Sequence, residues 1–173
     1  MPKNLPANWE SFRKVLGEPG VVDVIVFGSS VRGKDKPGDL DVCVVWQGKA
    51  GRTPGAIDLS YEELFSPAFL AREDILADGF SLRLGKTLSE AFGYQTFHSF
   101  SYSLGKMDYN TRARFHAAMR KTVNELGMLK LKALVLVPVE KVERFREFLT
   151  YWKIDFRESR VLFPGQEYKF LVK

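Results

Sequence analysis

In residues 27–42 of this 173-residue chain, Phe-Gly-Ser-Ser-Val-Arg-Gly-Lys-Asp-Lys-Pro-Gly-Asp-Leu-Asp-Val, two carboxylates stand two positions apart. Asp39 and Asp41 open an apolar run, and side chains two apart on a strand project from one face. Clustered carboxylates repel each other unless a cation sits between them. Hard oxygen donors select Mg²⁺, which one or two carboxylates usually hold together with substrate phosphates. Upstream, Gly28 follows a β-forming run, where it lets the backbone turn sharply and a ligand come close. Ser29 and Ser30 add hydroxyls and backbone N–H groups that can face phosphate oxygens. Arg32, Lys34 and Lys36 line the intervening loop, placed to meet a triphosphate. The set points to metal-assisted phosphoryl or nucleotidyl transfer.

A third carboxylate would complete a site for two Mg²⁺ ions. Asp58 is the candidate, because it interrupts an apolar run in a short strand that can lie beside the Asp39/Asp41 strand. It would serve as general base on an attacking hydroxyl and touch one metal. Taken singly, each piece is ordinary: an Asp-x-Asp is most often a solvated turn. The specificity lies in the order: strand, Gly-Ser, Arg-Gly, Asp-x-Asp opening the next strand, then Asp58 between apolar neighbours.

This order resembles the DNA polymerase β-type nucleotidyltransferase superfamily, especially its small archaeal and prokaryotic minimal members. Gly28, Ser29, Arg32, Gly33, Asp39 and Asp41 carry the resemblance, which spans roughly residues 9–85. The resemblance implies that the two aspartates bind Mg²⁺ and the Gly-Ser turn contacts nucleotide phosphates. It also implies a third aspartate acting as base or metal ligand, a place that Asp58 fits. Gly38 departs from the pattern, since such families commonly carry Ser before the first aspartate. The implied reaction moves a nucleoside monophosphate from an NTP, with ATP the expected donor, to a hydroxyl and releases pyrophosphate. The acceptor classes are an RNA or DNA 3′ end, a protein side chain or a small molecule. The rival from another class is a non-catalytic nucleotide- or nucleic-acid-binding regulatory protein that keeps the fold.

The elements that must position these groups follow from pattern. Trp9, Phe12 and Leu16 form the stripe of a first helix with Asn8 as its cap. Residues 21–27, 40–46 and 56–60 read as strands. Ser60/Glu63 and Thr87/Glu90 have capping-box spacing, and Ser66-Pro67 starts a helix running to Asp78. Beyond Gln95, residues 96–104 read as a strand with His98, Phe100, Tyr102 and Leu104 on one face. Asp108 or Asn110 caps a helix to Leu126. Residues 132–139 read as a strand, 140–152 as a helix, and 156–163 and 168–172 as strands. The expected fold is α/β (α+β): a nucleotidyltransferase core of residues 1–95, with a small mixed sheet flanked by helices, and a smaller basic α/β accessory half of residues 96–173.

Charge divides along the same line. Net charge is +5, but residues 1–95 hold 11 basic and 13 acidic groups, and residues 96–173 hold 15 and 8. In the basic half, Arg112, His116 and Arg120 recur at helical spacing, a stripe suited to an acceptor polyanion or a triphosphate. A solvated helix surface explains the same residues equally well. Phe97, Phe100 and Tyr102 have rings able to stack on a base, but alternation favours core packing. A single cysteine, Cys43, excludes an internal disulfide; with two histidines it argues against a zinc module. Its apolar neighbours predict a buried, inert thiol. No apolar run reaches membrane-spanning length and no signal core opens the chain, so a cytoplasmic protein is expected.

Overall fold

The computed structural model describes residues 9–34, 39–105, 107–132 and 134–165. The chain divides into two compact units, Met1–Tyr94 and Gln95–Lys173. Among the described residues the fold is mixed α+β with two sheets and six α-helices.

The first unit is built on β1 (Val21–Phe27), a run of β-branched residues buried along nearly its whole length. β2 (Asp41–Trp46) lies antiparallel to it, pairing Phe27 with Asp41 and Val24 with Val44. β3 (Ile57–Ser60) adds parallel to β2, with Val44 opposite Asp58. β4 (Phe80–Ser81) and β5 (Lys86–Thr87) complete the order β3-β2-β1-β4-β5.

Both sheet faces are apolar, as covered strands require. One face packs Ile25, Phe27, Cys43 and Val45 with Leu64 and Ile75. These last two come from α2 (Tyr61–Phe65) and α3 (Arg72–Asp78). The other face packs Val24, Val42 and Val44 against Phe12 and Val15 of α1 (Trp9–Val15). α4 (Leu88–Ala91) begins on Thr87. Both expected capping boxes form, Ser60 with Glu63 and Thr87 with Glu90. The helix expected from Ser66-Pro67 begins only at Arg72. Its first part is turn, and Ser66 instead closes α2 through its N–H to the Glu63 carbonyl. The Asn8 cap and the 168–172 strand lie outside the described residues.

The second unit has a sheet in the order β7-β8-β6-β9. Its strands are β6 (Tyr94–Tyr102), β7 (Leu129–Lys130), β8 (Leu134–Pro138) and β9 (Phe156–Pro164). α5 (Tyr109–Leu126) and α6 (Val142–Tyr151) cover one face. Phe100, Phe115, Met119, Phe145 and Leu149 are wholly buried there. Asp108 caps α5 by accepting from the Thr111 N–H at 3.0 Å, and Gly127 ends the helix in the left-handed conformation, φ 62°. Among the described residues no helix is long and apolar enough to cross a membrane.

Candidate active site

β1 ends at Phe27, and the chain turns at once into a single 3₁₀ turn, Gly28–Ser30. Gly28 has φ +76°, a conformation that side chains disfavour. Space is the stricter demand: a Cβ there would overlap Oδ2 of Asp41. Antiparallel pairing of Phe27 with Asp41 brings the two together. The Gly-Ser turn therefore sits directly on the carboxylate of the second aspartate.

Asp41 is exposed as a residue, but its carboxylate lies against this turn. Burial raises its pKa, and the like charges of Asp39 and Asp74 push it further up, while Arg32 opposes them. Asp39 and Asp41 are thus close enough to repel, as their two-residue spacing leads one to expect. Asp74 was not evident from sequence. It lies on α3, more than thirty residues downstream of Asp41, and only the packing of Ile75 onto the Phe27 and Cys43 face brings it near. Asp78, one helical turn on, is wholly buried and stands 3.9 Å from Arg32 Nη1. The i, i+4 spacing of Asp74 and Asp78 just before Gly79 is the one local sign of this acidic helix face.

Asp58 does not join this group. It lies opposite Val44, which with Trp46 belongs to the α1 side of the sheet, whereas Asp41 shares its side with Cys43 and Val45. Its carboxylate is committed elsewhere. Oδ1 accepts from Trp46 Nε1 at 2.7 Å and from Thr53 Oγ1 at 2.9 Å, and Oδ2 accepts from the Thr53 N–H at 2.6 Å. The expectation of a third metal ligand is corrected on these grounds: Asp58 fixes the 47–56 loop. Among the described residues no group of three or more His, Cys, Asp or Glu side chains is arranged to hold a metal. Asp39 and Asp41 remain, and two carboxylates plus substrate phosphates suit one Mg²⁺. The repulsion on Asp41, which Arg32 offsets only in part, is what such a cation would relieve.

The expected phosphate ligands fare differently. Ser30 is buried, and its hydroxyl donates to the Phe27 carbonyl at 3.1 Å, so it braces the turn rather than facing a ligand. Ser29 is half-buried and Lys34 exposed. The Lys34 N–H donates to the Ser29 carbonyl at 3.2 Å and the Arg32 N–H to that of Gly28 at 3.3 Å, which closes the turn. Lys36 and Gly38 lie outside the described residues. Cys43 is fully buried and its thiol is pushed up to about 12, by burial first and then by Asp58 and Asp23. It is inert.

A broad, open groove lies at the other end of the same sheet, lined by Gly20, Gln47, Lys49 and Arg83 among others. It contains none of Gly28, Asp39 and Asp41. Arg83 there is spent on the fold, donating to the carbonyls of Leu16, Val21 and Val22. The catalytic candidates lie where β1 ends and β2 begins.

In the second unit Arg112, His116 and Arg120 are all exposed on α5. Arg112 is partly committed, since Nη2 donates to the Leu104 and Met107 carbonyls. Phe97 is buried edge-on against Phe163, and Phe100 is fully buried, so neither ring is open to a base. Tyr102 is half-buried and edge-on to Phe115. His98 is buried and its Nδ1 meets Glu158 Oε1 at 2.5 Å, a partner that sixty residues of sequence separation concealed.

A β1–turn–β2 unit that seats a Gly-Ser turn on an Asp-x-Asp defines a nucleotide-handling α+β domain. Residues 9–93 match the model of the nucleotidyltransferase domain family, in agreement with the resemblance of this part of the chain to the DNA polymerase β-type nucleotidyltransferase superfamily. No curated protein and no solved structure matches the chain.

Proposed function

We propose that the first unit transfers a nucleoside monophosphate from an NTP, with ATP the expected donor, to a hydroxyl acceptor and releases pyrophosphate. The observation that carries this reading is the contact between the Gly28 turn and the Asp41 carboxylate, with Asp39 alongside. It supports a phosphate-receiving turn and a cation-binding pair at one point.

In this reading Asp39 and Asp41 hold Mg²⁺, which supplies charge stabilisation to the phosphoryl oxygens. Gly28 lets the Asp41 carboxylate lie against the turn, and Ser29 and Lys34 contact a phosphate. Arg32, anchored by buried Asp78, keeps one positive charge beside the aspartate pair. Ser30 and Asp58 hold the turn and the neighbouring loop in shape.

Transfer of label from an NTP labelled on the α-phosphate tests this. Asp39→Asn and Asp41→Asn should each lower the rate by about 10²–10³-fold or more, the scale of removing one preorganised electrostatic group, with unchanged circular dichroism. Wild-type rates in both variants would remove the mechanism. Absence of Mg²⁺-dependent NTP binding by calorimetry would favour the regulatory reading instead.

A further inference from the structure

The longest helix, α5, carries an exposed cationic surface that the chemistry above does not use. Its inner side is fixed by Phe115 and Met119, both fully buried. On its outer side the residues fall into rows four apart, since such residues stack along a helix. One row is Arg112, His116 and Arg120. The next is Tyr109, Ala113, Ala117 and Lys121, and beyond it stands Arg114. All of these are exposed. The middle row is small at Ala113 and Ala117, so the surface is a shallow furrow with cations on both sides. Lys121 closes one end, and the ring of Tyr109, 85% exposed, stands at the other.

The charge on this furrow is poorly offset from within. α5 has one acidic residue, Glu125, which pairs with Lys121 at 3.7 Å. A helix built only for solubility gains by alternating Glu with Lys or Arg at i, i+4; α5 has one such pair. Positive side chains that follow a furrow suit a phosphate backbone. An exposed aromatic ring in line with them suits an unpaired base, because every base offers a stacking face. An acidic peptide would meet the cations but leave the ring without a purpose.

We propose that the exposed face of α5 binds single-stranded nucleic acid, with phosphates on Arg114, Arg120 and Lys121 and a base on Tyr109. This strand is then the hydroxyl acceptor, a step that rests on the transferase reading above, whereas the binding itself does not.

The test is fluorescence anisotropy of a labelled single-stranded RNA of about 12 nucleotides with the full chain, without NTP or Mg²⁺. Three phosphate contacts on a single strand predict an affinity loss of roughly 20-fold between about 50 and 200 mM salt. The triple variant R114E/R120E/K121E, all at exposed positions, should abolish binding while keeping its helix content. Tyr109→Ala should weaken binding by roughly 10-fold and leave the salt slope unchanged. Arg52→Glu, an exposed charge in the first unit, should have no effect. Absence of binding at low salt, wild-type binding by the triple variant, or equal competition by an oligoglutamate peptide would each overturn the proposal. Asp41→Asn should bind the RNA as wild type does. Binding with no transfer by the wild type would keep the surface and remove the reaction. Transfer to a protein hydroxyl without RNA binding would do the reverse.

Discussion

At the scale of residues, the useful contrast is between two aspartates of similar appearance. Asp41 opens an apolar strand and Asp58 lies within one, yet one faces the Gly28 turn and the other is held by three donors from Trp46 and Thr53. Removing a metal-holding carboxylate should stop the chemistry and spare the fold; removing a loop-holding one should do the opposite. Asp58→Asn keeps the shape but turns an amide N–H₂ toward a donor. It should cost about 1–3 kcal/mol of stability and leave the transfer rate of the folded protein within a few-fold of wild type. Denaturant midpoints and rates measured side by side decide this. A variant as stable as wild type but inactive would return Asp58 to the chemistry. The Asp-x-Asp was legible because its two residues stand two apart in sequence at the entry to β2, so local spacing alone brings their charges together. Asp58 was not, because its face depends on the register between β2 and β3, which no local pattern records. Trp46 gave no local sign of the bond either, since its partner stands twelve residues away.

Elements show the same limit from the other side. The extent of β1, both capping boxes and the Asp108 to Gly127 limits of α5 were readable, because caps and apolar periods are local. The Ser66-Pro67 start was misplaced by several residues, since Pro at a first helical position fits a turn equally well. What joins elements was hidden, and the second unit supplies the clearest case. His98 of β6, Arg146 of α6 and Glu158 of β9 meet in one network. The Arg146 fork donates to both Glu158 oxygens at 2.8 and 2.6 Å, and also reaches Glu143 at 2.5 Å. Burial pushes the Glu158 pKa up, but the hydrogen bonds from His98 and Arg146 together outweigh it and hold the group at about 2, against an ordinary 4.5. A depressed folded-state pKa stabilises above the unfolded value, and that contribution is lost as pH falls through the folded one. Glu158 should therefore add its full share above about pH 5 and lose it between there and about pH 2. That share is about 2 kcal/mol once solvent screening is allowed for. Urea midpoints of wild type and Glu158→Gln across this range should converge on acidification. Parallel curves would show that the network contributes nothing through ionisation.

Over the whole molecule, the two charge balances acquire separate meanings. The first 95 residues carry a small acidic excess, part of which is Asp39, Asp41 and Asp74, whose like charges raise the Asp41 pKa. The later residues carry seven more basic than acidic groups, and α5 contributes four basic side chains against one acidic. Each unit has its own buried core, so each ligand should protect the backbone it touches. A ligand at about 100 times its Kd stabilises its binding unit by about 2.7 kcal/mol, which hydrogen exchange reads amide by amide. Mg²⁺ with a non-hydrolysable NTP should slow exchange around Gly28 and at the start of β2. Single-stranded RNA should slow exchange in α5 and leave the Gly28 turn unchanged. The alternative role of the basic helix, holding the NTP's own triphosphate, makes the opposite forecast: the nucleotide alone would protect α5, and RNA would compete with it. Exchange at α5 with nucleotide present and RNA absent therefore decides which polyanion the excess charge serves.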